Sequence, residues 1–283
     1  MKYDRLILLD YDIGALGNTI FALLSLTSDN VFSLTNDKNY FKFNANGNAH
    51  QILKFTDFAG GKFVEDIDYN PEIPLGRYDI RIGHAGDYRD LYSQFPGAHY
   101  IKILCNEFGF IYQTLAGYQK FHGIPTLTTA HNLLPILGSS EPEIIESYAL
   151  CYYNEMIRHE NCAKDNSIIS LLLDDIIDTN LQSVIDLFSN KFRFKFDHLL
   201  VKKFITEFND ANKNLIEQSN LLYQLVRKIQ NNTIVPLPAD LKFYEKALLL
   251  ACIGKDRIQQ MPIYTETDFW KDSKVFVDNL KRK

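Results

Sequence analysis

The sequence predicts a three-layer α/β protein with a central, mostly parallel sheet and a helical C-terminal portion. Two observations predict this fold class. Short apolar runs of strand length alternate along the chain with segments whose apolar residues recur at helical spacing. The first apolar run, residues 5–10, leads through a turn with two glycines into an apolar helical segment, which is the order of strand, loop and helix in an α/β unit.

The composition sets the limits within which this fold is built. The chain has 283 residues, of which 46% are hydrophobic and 23% are charged, so it can bury a sizeable core and global disorder is not expected. The formal net charge is −5 and the sequence pI is about 5.8, a balance that does not favour a nucleic-acid-coating surface. We therefore expect no nucleic-acid partner.

The first part of the chain supplies three strands and two helices. Each predicted strand is a short apolar run bounded by turn residues, and each predicted helix has an apolar face of helical period. Residues 28–75 carry few long periodic segments and several turns rich in Asn and Gly. The strands are predicted at residues 5–10, 78–83 and 99–104, and the helices at residues 18–27 and 108–121.

The second part is predicted to be mostly helical. A buried strand over residues 166–177 ends in acidic residues, and residues 178–180 are expected to cap a helix that begins at Leu181. The alternation of Lys191, Arg193 and Lys195 with phenylalanines predicts an edge strand with a charged rim. Residues 1–196 would form the α/β core, and residues 197–283 a helical portion packed on it. Helices are predicted at residues 141–160, over 197–230 as one or two long helices, and at residues 241–253 and 268–280.

The cysteines and the absence of sorting signals predict a cytoplasmic protein. The four cysteines are scattered and none stands in a C-x-x-C pair, which is typical of reduced thiols and gives no zinc spacing. The N-terminus opens on a strand without the pattern of a signal peptide. No window reaches 18 uncharged apolar residues, so no membrane span and no membrane partner are expected. We also expect no bound metal.

Two features could carry chemistry. Backbone N–H groups at the start of the first helix, after the loop with Gly14 and Gly17, could hold an anion. No Lys or Arg lies between Arg5 and Lys38, so the loop has no local basic residue. His84 follows a strand and could act as a general base at the crevice where open α/β sheets bind ligands. The alternatives are a plain tight turn for the loop and a backbone-bonded turn residue for His84.

The order of these motifs resembles the sulfotransferase branch of the P-loop folds. Residues 14–19 (GALGNT) stand where that family has its phosphosulfate loop, with matches at Gly17 and Thr19 and with Ala15 in place of the basic residue. His84 matches the histidine that ends a K-T-H strand in the family, and residues 95–101 (FPGAHYI) match its next strand. The family's arginine for the 3′-phosphate is Cys105 here, and its serine falls near Gln113 or Thr114.

The resemblance implies a nucleotide donor and a set of roles. A sulfotransferase-like protein would transfer a sulfuryl group from PAPS to a hydroxyl or amine of an unknown small-molecule or glycan acceptor. His84 would be the base, and Thr114 would touch the 3′-phosphate. The 5′-phosphosulfate would be held by Gly14, Gly17, Asn18 and Thr19.

Two alternatives accompany this prediction. The basic residues missing at Ala15 and Cys105 favour a sulfotransferase-fold protein without catalysis, acting as a binding or structural component with a partner or a second copy on its C-terminal helices. Residues 14–21 and 80–88 also resemble the G-x-L-G-N-x-x-F and H-x-R-x-G-D-Y motifs of fucosyltransferase-like enzymes that use GDP-sugars. That resemblance implies a nucleotide-sugar-dependent glycosyltransferase.

Overall fold

The structure is a computed structural model of the whole chain, and it describes the residues that build the central sheet and its main helices. Two of the residues assigned to the candidate site, Gly14 and His84, lie outside the described residues, as do the predicted helices at 141–160 and 268–280 over all or most of their length. The described residues are 3–11, 15–32, 57–58, 73–83, 95–120, 126–128, 133–135, 148, 152, 161–162, 164–231, 241–242, 245, 248–249 and 252.

The described strands confirm the predicted α/β fold. Five of them form an all-parallel sheet in the order β2-β3-β1-β4-β7, and the remaining two form a small antiparallel pair, β5 with β6. The order places β1, the first strand of the chain, at the centre of the sheet. The strands are β1 Leu6–Asp10, β2 Asp57–Phe58, β3 Asp79–Gly83, β4 His99–Leu104, β5 Thr126–Thr128, β6 Leu133–Pro135 and β7 Ile168–Leu172.

Five helices complete the described elements, and they account for most of the core. The helices are α1 Gly17–Thr27, α2 Glu107–Lys120, α3 Leu173–Asp178, α4 Gln182–Phe192 and α5 His198–Gln230. In the part of the chain that the structure describes, no helix combines the length and the apolar character needed to cross a bilayer.

Both faces of the sheet are covered, as a three-layer fold requires. Side chains alternate along β1, so Ile7 and Leu9 join the large core that includes α1, α2 and α5, whereas Leu6 and Leu8 point the other way. We call the side of the sheet that carries Ile7 and Leu9 the helical face, and the side that carries Leu6 and Leu8 the second face. Phe95 packs on the second face.

The long helix α5 is held by one apolar stripe. Its buried residues recur every three or four positions, which is the period that keeps side chains on one side of a helix. Within the stripe, Asn212 accepts a hydrogen bond of 3.1 Å from the Tyr112 hydroxyl of α2. The C-terminal helices were expected to offer a surface for a partner, but this stripe of α5 belongs to the core. Its buried residues are Phe204, Phe208, Asn212, Leu215, Ser219, Leu222, Leu225 and Val226.

Two local predictions were wrong. The strand predicted at 166–177 ends at Leu172, because Asp174 and Asp175 follow it as the acidic first turn of α3, a position that the helix dipole favours. Lys191 and Phe192 end α4, and Arg193 takes the left-handed conformation after it, so the alternating segment begins as a helix rather than as an edge strand. By contrast, the predicted cap of α4 is present, because the Thr179 hydroxyl accepts the backbone N–H of Ser183 at 3.1 Å, and the helix begins at Gln182, after Leu181 in the left-handed conformation.

Adjacent leucines of α5 provide a test of the packing. Leu222 is 1% exposed and Leu221 is 49% exposed, although the two share one helix and one side-chain chemistry. We expect Leu222→Ala to lower the free energy of unfolding by about 2–5 kcal/mol, because it opens a cavity in the core. The matched change Leu221→Ala should stay within about 0.5 kcal/mol of the wild type. Urea unfolding measures both, and equal losses would show that this face of α5 is assigned wrongly.

Candidate functional site

The candidate site lies at the carboxyl edge of the sheet, around the end of β1. From β1 the chain first builds β2 and β3 on one side and then crosses to β4 and β7 on the other. Open α/β sheets bind ligands outside the carboxyl ends of the strands, where the strand order reverses in this way. Gly83, the last residue of β3, is the register partner of Asp10, so the two strand ends predicted to meet are neighbours.

The loop after β1 is packed by its own tyrosine. A β-carbon built on Gly17 would lie 2.1 Å from Cδ1 of Tyr11, so the Tyr11 ring rests directly on the first residue of α1. Tyr11 is buried, and Leu16, which precedes the helix, has a φ of 62°. Glycine at position 17 is therefore required by the approach of a ring, whatever else the loop binds.

The predicted anion ligands at the start of α1 differ in their access to solvent. Thr19 is fully buried and already has an interaction within the protein, whereas Asn18 is half-buried. The structure thus brings Gly17, Asn18 and Thr19 together in the first turn of α1, at the carboxyl edge. Asn18 is the most accessible of the three.

A buried ion pair joins the end of β1 to β4. The ammonium of Lys102 lies 2.8 Å from Oδ2 of Asp10, and the Tyr100 hydroxyl donates a hydrogen bond to the same oxygen. Asp10 and Lys102 are 1% and 3% exposed. The register pairs Asp10 with Lys102, which puts both on the second face of the sheet. The loop after β1 has no basic residue of its own, but β4 brings the Lys102 ammonium to the end of β1. There Asp10 neutralises its charge.

A second buried pair lies on the same face of β3. The Nε of Arg81 donates to both carboxylate oxygens of Asp79, at 2.9 and 3.0 Å, and its Nη2 lies 2.8 Å from Oδ2. Burial raises the pKa of Asp79, and the Arg81 guanidinium opposes that rise. The Arg81 guanidinium is therefore engaged with Asp79, two residues away on its own strand.

A carboxylate of the chain lies at the amino end of α2. The backbone N–H of Asn106 donates to Oδ2 of Asp174 at 2.9 Å, and a β-carbon on Gly109 would lie 2.6 Å from that same oxygen. Burial raises the pKa of Asp174 and the nearby Asp178 carboxylate adds to the rise, whereas hydrogen bonds from the backbone of Asn106, Gly109 and Asp174 itself oppose it. A carboxyl group of the chain thus already occupies the helix end that could hold a phosphate.

A second carboxylate stands beside it. Glu107, the first residue of α2, accepts hydrogen bonds from the Tyr152 hydroxyl at 3.1 Å and from the Gln230 amide at 2.8 Å. Burial, followed by the charge of Glu107, raises the pKa of both the Tyr152 phenol and the Cys252 thiol. These groups are therefore held neutral around an anion. The described residues contain no cluster of three or more side chains suited to holding a metal ion.

The positions that the resemblance assigns to the 3′-phosphate are occupied by neutral side chains that bond within the protein. The thiol of Cys105 donates to Oε1 of Gln113 at 3.2 Å, and both residues are buried. Thr114, also buried, donates its hydroxyl proton to the carbonyl of Phe110 at 2.8 Å, one turn earlier in α2. Thr114 can therefore offer a ligand its oxygen lone pairs but not its proton without breaking this bond.

Sequence reasoning missed two residues of this edge, Lys102 and Asp174. Lys102 lies within a strand and no local pattern relates it to Asp10, although a charged residue in an otherwise apolar strand was a signal. Asp174 was predicted only as one of the acidic residues that end a strand, whereas it is the acceptor at the start of a neighbouring helix. Both contacts join residues 68 or more apart in the sequence, so only the sheet order creates them.

Comparison of the chain with protein-family models, with curated proteins and with solved structures finds no matching protein. The sulfotransferase and fucosyltransferase resemblances therefore remain predictions based on the residues quoted above.

The contact between Tyr11 and Gly17 predicts strong coupling between two substitutions. Gly17→Ala should destabilise the protein by about 1–3 kcal/mol, because the added methyl group collides with the Tyr11 ring. In a Tyr11→Ala background the same change should cost close to nothing, since the ring is gone. A double-mutant cycle of unfolding free energies measures this coupling. An undiminished cost in that background would refute the packing role of Gly17.

Asp174 predicts a pH dependence with a definite sign. Because its pKa is raised in the folded protein above the ordinary 3.8, its stabilising contribution is complete below that pH and is lost as pH rises through the folded pKa. Asp174→Asn retains an oxygen acceptor for Asn106 and does not titrate. We expect this variant to gain stability relative to the wild type as pH rises from about 4 to about 7.

Two controls separate the charge of Asp174 from its role as an acceptor. Asp174→Ala leaves the partly buried N–H of Asn106 without that acceptor, so it should be less stable than Asp174→Asn by about 1–2 kcal/mol. Asp175→Ala changes the exposed neighbour and should produce neither effect. Urea unfolding across the pH range tests the set. A stability difference between the wild type and Asp174→Asn that does not change with pH would contradict the assignment.

Proposed function

We propose that this chain is a sulfotransferase-like protein that works as a binding or structural component and does not transfer a sulfuryl group from PAPS. The observation that carries the proposal is Asp174, whose carboxylate accepts the N–H of Asn106 at the amino end of α2. This helix end follows Cys105, the position of the arginine that grips the 3′-phosphate in the family the chain resembles. The chain supplies its own anion where the nucleotide would need a cation.

Repulsion at the start of α2 would strongly oppose the binding of a phosphate. Two like unit charges 4 Å apart repel by about 4 kcal/mol at an effective dielectric constant of 20. A phosphate at the start of α2 would meet Asp174 and also Glu107, the first residue of the helix. Each missing charge-assisted contact to a basic residue removes a further ~1.5–3 kcal/mol. These contributions together would weaken a bisphosphate nucleotide by several orders of magnitude.

The packing around the loop supports the same proposal. The Tyr11 ring lies against Gly17, in contact with the residue that would approach the 5′-phosphosulfate. Cys105 and Gln113 hydrogen-bond to each other, so both side chains already have a partner within the protein. In a protein that does not bind PAPS, the side chains at these positions can pack and hydrogen-bond within the core.

One observation favours the second candidate function, sulfuryl transfer from PAPS with His84 as the base. Lys102 brings an ammonium to Asp10 at the end of β1, where a donor phosphate would need positive charge. To serve this role, Lys102 would have to exchange Asp10 for the nucleotide. Gly14, Gly17, Asn18, Thr19 and Thr114 would keep the roles that the resemblance implies.

Calorimetric titration with the desulfonated nucleotide, adenosine 3′,5′-bisphosphate, distinguishes the two functions. We expect no saturable heat from the wild-type chain at millimolar nucleotide, because two carboxylates face the phosphate position. The double variant Glu107→Gln and Asp174→Asn shows whether those carboxylates are the obstacle, since weak binding that appears only in this variant assigns the repulsion to them. A sulfotransferase of established activity, titrated in the same buffer, is the positive control.

Tight binding by the wild type would overturn the proposal. A dissociation constant below about 1 mM, corresponding to more than about 4 kcal/mol of binding free energy, would require a working phosphate site. Sulfuryl transfer that is lost in His84→Ala, with nucleotide binding retained, would then establish the second function.

A further inference from the structure

A basic surface lies at the opposite, amino edge of the sheet. Its cations are Arg77, just before β3, and Lys191, Arg193 and Lys195, at and after the end of α4. All four side chains belong to exposed residues. In the part of the chain that the structure describes, none of the four has an ion-pair partner.

Asn30 joins the two segments that carry these cations. Its side-chain oxygen accepts the backbone N–H of Lys195 at 2.8 Å, and its side-chain amide donates to the carbonyl of Gly76. The backbone carbonyl of Asn30 accepts the N–H of Tyr78 at 2.8 Å. Arg77, between Gly76 and Tyr78, is thereby fixed beside the Lys195 segment, so the basic residues form one surface rather than two.

Aromatic packing turns the cations outward. The ring of Tyr78 lies 5.5 Å from that of Phe192 and 5.6 Å from that of Phe194, and both phenylalanines are buried. The residues between and after them, Arg193 and Lys195, therefore face solvent. The rings of Phe192 and Phe194 therefore pack inside the protein and are not exposed beside the cations.

Exposed leucines flank the same surface. Leu75, at the turn before Arg77, is 88% exposed, and Leu199, near the start of α5, is 80% exposed. Leu200 is 42% exposed. Asp197 places the two α5 leucines, because its carboxylate accepts their backbone N–H groups at 2.9 and 3.1 Å and its own N–H donates to the carbonyl of Thr27.

We propose that this amino-edge surface docks onto an anionic phospholipid bilayer. The surface comprises Arg77, Lys191, Arg193 and Lys195 with Leu75, Leu199 and Leu200. Cations attract anionic headgroups, and exposed aliphatic side chains enter the interface between headgroups and acyl chains. The net charge of −5 describes the whole chain, and it does not exclude a local basic surface of this kind.

The chemistry of the surface favours lipid over nucleic acid. Single-stranded nucleic acids bind by stacking their bases on exposed aromatic rings beside basic residues. Here the exposed apolar side chains are leucines, and Phe192 and Phe194 are buried. Three acidic residues belong to the neighbouring segments. Asp197 accepts backbone N–H groups at the start of α5, and the exposed Asp4 and Asp29 limit the attraction of the surface for anionic headgroups. The inference goes beyond the proposed function and does not depend on nucleotide binding, since that site is at the other edge.

Vesicle co-sedimentation of the full chain tests the proposal. We expect binding to phosphatidylcholine vesicles containing about 30% phosphatidylserine, little binding to pure phosphatidylcholine, and release at about 0.5 M salt. The triple variant Lys191→Gln, Arg193→Gln and Lys195→Gln should partition about a hundredfold less, at about 1 kcal/mol per cation. The matched triple variant Lys213→Gln, Arg227→Gln and Lys228→Gln removes three exposed cations elsewhere on α5 and should bind like the wild type.

A second pair of variants tests the leucines. Leu75→Ser with Leu199→Ser should weaken binding roughly tenfold, whereas Leu221→Ser, at another exposed site on α5, should not. Circular dichroism confirms that each variant is folded. The proposal is overturned if the wild type does not bind the anionic vesicles, or if both triple variants lose binding equally. It is also overturned if an oligothymidylate binds more tightly than the vesicles and the leucine variants leave vesicle binding unchanged.

Discussion

The structure depends on the burial of two opposite charges at the centre of its sheet. Asp10 ends the central strand and Lys102 comes from its neighbour, and both are nearly inaccessible to solvent. A buried charge without its partner costs several kcal/mol, so each of these residues requires the other. Tyr100 adds a hydrogen bond to the same carboxylate. This constraint fixes the register of β1 against β4, because a shift of one residue would turn Lys102 to the helical face.

Other polar groups along the carboxyl edge also have their hydrogen-bond partners within the protein. Asp174 from the β7–α3 junction accepts a backbone N–H at the start of α2, and Glu107 at the same helix end receives a phenol and an amide. Gly109 allows the Asp174 carboxylate to approach the helix backbone. These contacts tie β7 and α3 to β4 and α2. The groups that a ligand would otherwise recruit therefore contribute to the stability of the fold.

The two edges of the sheet differ in how their charges are used. At the carboxyl edge, the buried cation of Lys102 is matched by the Asp10 carboxylate on the neighbouring strand. At the amino edge, exposed cations surround a packed aromatic cluster and lie beside exposed leucines. Burial demands pairing, whereas exposure leaves charge available for a partner. Because of this difference, we placed the candidate nucleotide site at the carboxyl edge and the proposed membrane-docking surface at the amino edge.

The sequence by itself determined the fold class and most of the element order. Strands at residues 6–10, 79–83 and 99–104 and helices at residues 17–27, 107–120 and 198–230 follow directly from apolar runs and helical periodicity, because these patterns are local. The sequence also placed Gly17 at the start of the first helix. It misjudged residues 173–178 and 191–192, where acidic residues and alternating phenylalanines have both a strand and a helix interpretation.

Only the tertiary structure decided what the site residues do. Lys102 meets Asp10 and Asp174 meets Asn106 because parallel strands from distant parts of the chain become neighbours, and no sequence spacing encodes that order. The role of Gly17 changed in the same way, since the ring that demands a glycine belongs to Tyr11 and reaches it only in the folded loop. Local patterns specify elements, whereas the pairing of buried charges depends on which elements lie side by side.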